Sequence, residues 1–275
     1  MIIELFGPPG AGKTTFVRAL AASLLEHGHR AEFKLSLRPA ERLRGADPIG
    51  LRATIARRLT QPAVEMLTLA RHPLVSAQHV RASSLLVRKF TRRTGIGSIR
   101  EFQYLARLSY SWHRAANVNH IVIFDQAYVQ ALCSLAVLRR VDETVLAQAL
   151  DFAPKADLLV RMSAPLEVVK SRLHDRTCGQ GAIERMFERR LEVNLDFIQI
   201  SDHLEQLLRS RDRPVVCVSS LDRQSLCEGV ERIEQELKSK WGGELTGWYE
   251  EDRRAWKAAV AAGPYGFRPD CDSAV

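Results

Sequence analysis

Gly7-Pro8-Pro9-Gly10-Ala11-Gly12-Lys13-Thr14 sets three glycines, a lysine and a hydroxyl within eight residues. The spacing is G-x-x-x-x-G-K-[ST], and it has a physical cause. Glycine reaches backbone conformations that other residues avoid, so such a loop can turn successive N–H groups inward around an anion. Lys13 supplies a point charge for the β- and γ-phosphates of a nucleotide, and the Thr14 hydroxyl suits a magnesium ion. Gly7, Gly10, Ala11, Gly12, Lys13, Thr14 and Thr15 are therefore the candidate phosphate-binding residues. The loop leads into a helical pattern, and a helix N-terminus favours anions through its dipole and unpaired N–H groups.

A second chemical signal is Ile121-Val122-Ile123-Phe124-Asp125, an apolar strand ending in a carboxylate. After a phosphate loop in the same chain, Asp125 is a candidate magnesium ligand, directly or through water. The competing role is N-cap of the helix that follows. A third signal is arginine spacing. Transfer of a phosphoryl group spreads charge over its oxygens, and the loop contains no arginine to neutralise it. Arg172 and Arg176 lie four apart on one helix face, and Arg185 and Arg189 repeat the spacing. Between the pairs, Cys178-Gly179-Gln180-Gly181 reads as a flexible turn suited to a closing lid. The alternative is a solvated helix in which Glu184, Glu188 and Glu192 pair with the arginines.

Five short apolar runs must position these groups: Ile2–Phe6, Ala31–Leu37, Ile121–Phe124, Leu158–Met162 and Val215–Val218. Their lack of polar alternation predicts strands covered on both faces. Helical patterns lie between them. The first carries Phe16, Val17, Leu20, Leu24 and Leu25 on one face and stops at Gly28; another starts at Pro165. Alternating strands and helices predict an α/β fold, a doubly wound three-layer sandwich with about five parallel strands and right-handed crossovers. Residues 82–116 read as two amphipathic helices broken near Gly95 and Gly97. Trp112 in this stretch fits a core better than a base-stacking site.

Charge is unevenly placed. The 275 residues carry 40 Lys+Arg against 32 Asp+Glu, and only eight of the cations are lysine. Residues 38–114 hold fifteen basic and four acidic residues, a net of +11, so the remainder sums to −3. A uniformly basic, nucleic-acid-coating surface is disfavoured. The basic segment suits an anionic small molecule, an acidic macromolecule or membrane surface, or arginines whose stems cover apolar surface. Five scattered cysteines without CxxC spacing point to reduced thiols. No apolar run reaches the length of a membrane span, and Met1–Phe6 lacks a basic signal-peptide region, so a cytoplasmic location is expected.

With these residues in view, the chain resembles the P-loop nucleoside and nucleotide kinases, and the thymidylate kinases most. The likeness rests on Gly7–Thr15, on Leu37-Arg38-Pro39, on Phe124-Asp125-Gln126-Ala127-Tyr128, and on the stretch 157–190. That last stretch holds Ala164-Pro165, Arg172, Arg176 and Phe187-Glu188-Arg189-Arg190. It spans roughly residues 1–235. Pro9 stands where thymidylate kinases carry an acidic residue, Gln126 where they carry arginine, and no Glu-Pro-Gly-Gly follows Arg38. The resemblance implies ATP as donor, Mg2+ as cofactor, Lys13, Asp125, Arg172 and Arg176 as catalytic groups, and Thr14 and Asp125 at the metal. It implies Arg38 at the acceptor phosphate, with a nucleoside monophosphate as first-choice acceptor and a homodimer left open. It divides the chain into a kinase-like domain over 1–240, with an acceptor-side segment at 38–120 and a lid at 172–192, and a partly disordered appendage over 241–275. The alternative function is a nucleotide-gated binding module whose basic helices dock a macromolecule; a nucleic-acid or acidic-membrane partner ranks below a small acceptor.

Overall fold

The computed structural model describes residues 1–34, 96–178 and 191–241. The expectations placed on Arg38, on the acceptor-side segment up to residue 95, on the turn and lid over 179–190 and on the tail from 242 lie outside the described residues. Strands β1 (Ile2–Phe6), β2 (Ala31–Lys34), β3 (Ile121–Phe124), β4 (Leu158–Ser163) and β5 (Val215–Ser219) form one sheet in the order β2-β3-β1-β4-β5. All four pairings are parallel, with Glu4 opposite Phe124 on one side and Leu159 on the other. The expected α/β architecture with five parallel strands is what the chain adopts.

The helices are α1 (Lys13–Glu26), α2 (Ile96–Ala116), α3 (Tyr128–Arg139), α4 (Glu143–Phe152), α5 (Leu166–Cys178), α6 (Leu191–Arg209) and α7 (Arg223–Trp241), numbered over the described residues. Strand alternation sends successive side chains of β1 to opposite faces. Ile3 and Leu5 pack with Phe16, Leu20 and Leu24 of α1 and with Ile233 and Leu237 of α7. Ile2 and Phe6 pack with Leu105 and Trp112 of α2, Val129 and Leu132 of α3, and Phe197 and Leu204 of α6. These two cores, one on each face, make the three layers and explain why every residue of β1 and β3 is buried.

Two local expectations are met in detail. Gly28 ends α1 with φ +80, its N–H donating to Leu25 O at 3.0 Å and that of His29 to Leu24 O at 2.8 Å. That pair of bonds is a Schellman closure, which needs the left-handed residue glycine supplies. Trp112 belongs to the core, stacked on Phe124 with ring centroids 5.4 Å apart and edge-on to Tyr128 at 5.4 Å. The second of the two helices expected over 82–116 starts at Ile96, between Gly95 and Gly97, so that Gly97 falls in its first turn; the first lies outside the described residues. In a first turn the N–H groups have no intrahelical partners, and a glycine there disturbs no hydrogen-bond ladder.

Candidate functional site

The phosphate loop leaves β1 at the centre of the sheet, and the Asp125 loop leaves β3 beside it. Chain connections diverge at these carboxyl ends, where open α/β sheets form their crevice. Gly7 has φ +142, Gly10 φ +83 and Gly12 φ +71. Space demands glycine at the first position as much as conformation does: a Cβ on Gly7 would lie 2.3 Å from Met162 O of β4. Gly12 is the N-cap of α1 and offers no side-chain acceptor, so the first-turn N–H groups of the helix open toward the loop. Ala11 and Lys13 are buried, Thr14 is half-buried and Thr15 is exposed.

Inside the loop, Lys13 Nζ donates to Gly7 O at 2.7 Å and to Pro8 O at 2.9 Å. The Thr14 hydroxyl donates to Asp125 Oδ2 at 3.5 Å, across 111 residues of sequence. Asp125 is buried at 2 % exposure. The capping role weighed for it is not taken: the N-cap of α3 is Ala127, which makes no side-chain bond. The N-terminal N–H groups of α3 go elsewhere. Val129 N donates to Glu4 Oε1 at 2.5 Å and Gln130 N to the same oxygen at 3.4 Å. The α3 terminus is therefore capped from the middle of β1, and Asp125 faces the loop.

Three side chains hold the loop from outside. Gly7 N donates to Gln130 Oε1 at 3.0 Å from the α3 side. Ser220, just past β5, donates through Oγ to Ala11 O at 3.0 Å. Arg172 on α5 donates to Gly10 O at 3.4 Å, to Ser220 Oγ at 3.1 Å and to Ser220 O at 2.6 Å. Its guanidinium thus rests on the back of the loop and ties it to the β5–α7 turn. Arg176 lies one turn further along α5, with its side chain outside those described.

Burial dominates the electrostatics beside the site. Glu4 is fully buried, and desolvation pushes its carboxyl up to about 8 against the opposing pull of the Val129 and Gln130 N–H groups and the Arg213 charge. Its Oε2 has no hydrogen-bond partner. Tyr104 and Tyr128, on the same face, are pushed up to about 12, chiefly by burial, and Tyr128 pairs with the Ser109 hydroxyl.

Thr14 and Asp125 present a hydroxyl and a carboxylate oxygen to one another, a donor pair of the all-oxygen kind that Mg2+ takes. Two protein oxygens do not fill an octahedron, so phosphate oxygens and water would have to complete it. Among the described residues no group of three or more His, Cys, Asp or Glu is placed to hold a metal ion, and no helix is long and apolar enough to cross a membrane.

The site therefore unites Gly7, Gly10, Ala11, Gly12, Lys13, Thr14, Thr15 and Asp125, with Arg172 behind the loop. Glu4, Gln130 and Ser220 went unmarked in the sequence. Glu4 had a signal, as the one charge inside an apolar strand, and Gln130 a weaker one, as an amide inside the apolar helix Tyr128–Arg139. Ser220 had none.

No family model matches the chain, and no curated protein matches it. Among solved structures it is similar to deoxyadenosine kinase from M. mycoides. The dCTP-bound form is 16% identical with TM-score 0.42, covering 87% of this chain and 100% of that one. The form with the products dCMP and dCDP is 18% identical with TM-score 0.45, over the same shares. The dATP-bound form is 16% identical with TM-score 0.45, covering 86% of this chain and 100% of that one.

Proposed function

We propose that the chain is a magnesium-dependent P-loop kinase that transfers the γ-phosphoryl group of ATP to a small anionic acceptor, with a nucleoside monophosphate as the first choice. The observation that carries this is the meeting of Thr14 and Asp125 at 3.5 Å beside a lysine-bearing glycine loop. Two motifs 111 residues apart share one crevice, and phosphoryl transfer requires both.

The loop amides and the α1 N-terminus take the donor phosphates, and Lys13 exchanges its Gly7 and Pro8 carbonyls for phosphate oxygens. Thr14 and Asp125 would hold a magnesium ion, whose charge would offset that of the phosphates. Where the acceptor is a hydroxyl, Asp125 can take its proton. Arg172 braces the loop, while Arg176, one turn along, is the arginine assigned to the transferring group. Arg38 is assigned to the acceptor phosphate, and residues 172–192 to a lid. Thymidylate as acceptor rests on the residue likeness alone, with Gln126 in place of the arginine.

The test is a panel of nucleosides, nucleoside monophosphates and other small hydroxyl or phosphate acceptors with ATP and Mg2+, read by mass spectrometry. One phosphorylated acceptor supports the proposal. Slow release of inorganic phosphate across the whole panel, with salt-sensitive binding to nucleic acid or acidic vesicles, refutes it.

A further inference from the structure

We propose that Gln130 and Glu4 are positioning residues that set the phosphate loop from the α3 side; the inference rests on the nucleotide-binding reading above and names residues that reading does not use. Gly7 opens the loop directly after β1. Its N–H is held by Gln130 Oε1 at 3.0 Å, and its carbonyl holds the Lys13 ammonium at 2.7 Å. A Cβ at Gly7 would lie 2.3 Å from Met162 O, so only glycine fits at this position. The Gln130 bond holds the Phe6–Gly7 peptide unit, which adjoins the Gly7–Pro8 unit whose carbonyl Lys13 is docked on.

Gln130 can make that bond because its own backbone is fixed. It lies in the first turn of α3, is 4% exposed, and its N–H shares Glu4 Oε1 with that of Val129. Glu4 stands in β1 three residues before Gly7. The chain of contacts thus closes on itself: β1 at Glu4, the α3 first turn, the Gln130 amide, and β1 again at Gly7. Asp125 sits between β3 and α3, inside the span this closure immobilises, with its N–H donating to Lys34 O at 3.3 Å. The brace sets the lysine and the aspartate in one frame. A buried carboxyl group and a buried amide in an otherwise apolar core are costly to keep, and this double use of both accounts for them.

The test uses the full chain with Gln130→Met, which keeps length and removes the acceptor, and the milder Gln130→Asn, which withdraws the amide by one methylene. Glu4→Gln keeps an oxygen for Val129 and Gln130, and Glu4→Leu does not. Two measurements are made: exchange of the Gly7 amide by NMR of 15N-glycine-labelled protein, and affinity for a fluorescent ATP analogue with Mg2+. Gln130→Met and Glu4→Leu are expected to speed Gly7 exchange and weaken the analogue by about tenfold, the worth of one buried hydrogen bond. Glu4→Gln stays near wild type in both, and Gln130→Asn falls between. Unchanged exchange and affinity in Gln130→Met overturn the inference, as does an affinity loss that only tracks a falling melting temperature. If the wild-type chain binds no analogue, the proposed function fails on its own, and Gly7 exchange still decides whether Gln130 sets the loop.

Discussion

Replacing Glu4 by glutamine should flatten the dependence of stability on pH between about 5 and 8. The carboxyl ordinarily titrates near 4.5, and burial raises it to about 8 in the folded chain. Between those values the native state holds a proton that the unfolded state has released, so stability falls as pH rises and levels off above the folded value. Linkage sets the slope at about 1.4 kcal/mol per pH unit inside the window, or about 3 kcal/mol between pH 5.5 and 7.5. For a chain of this size that is roughly 5–10 °C in melting temperature. The neighbours do not mask the effect, because Tyr104 and Tyr128 titrate at about 12 and Arg213 stays charged throughout. Glutamine adds a constant offset, since its NH2 meets the same partnerless pocket as Oε2, but it adds no slope. The assay is urea unfolding of wild type and E4Q at pH 5.5, 6.5 and 7.5. Parallel profiles for the two proteins would refute the reasoning, because the proton would then not reside on Glu4.

Lys13→Ala should abolish the rise in melting temperature that ATP and Mg2+ give the wild type, read by differential scanning fluorimetry. Gly7→Ala forces a Cβ to within 2.3 Å of Met162 O at φ +142, so it should cost about 1–3 kcal/mol in urea unfolding or displace the loop enough to lose nucleotide. Arg176→Ala should lower turnover far more than nucleotide affinity in steady-state kinetics if the role proposed for it at the transferring group holds; equal losses would remove that role.

The parts of the fold that were legible are those with local causes. The apolar runs at 2–6 and 121–124 match the strands because a strand buried on both faces tolerates few polar residues. The loop was legible because its glycines answer to local backbone demands, such as φ +71 at Gly12. The parts that were hidden depend on the sheet order. Nothing in the sequence near Ser220 says that β5 ends behind Ala11, and nothing near Gln130 says that α3 begins beside Gly7. Asp125 shows the same division. A carboxylate closing an apolar run is readable in the sequence, but the Glu4 carboxylate that takes the Val129 N–H at the start of α3 lies 121 positions away from Asp125. Arg172, read as a lid residue from its spacing, makes its described contacts with Gly10, Ser220 and Leu221 at the back of the loop.

In the proposed function, the loop and Asp125 together hand a phosphoryl group from ATP to another molecule. The most direct measurement follows the label of γ-32P-ATP with Mg2+ and the acceptor panel, comparing wild type with Lys13→Ala and Asp125→Asn. Labelled acceptor is expected from the wild type, and none, or at least about a hundredfold less, from either variant. Label that appears only as inorganic phosphate, or that reaches an acceptor equally in all three proteins, would contradict it.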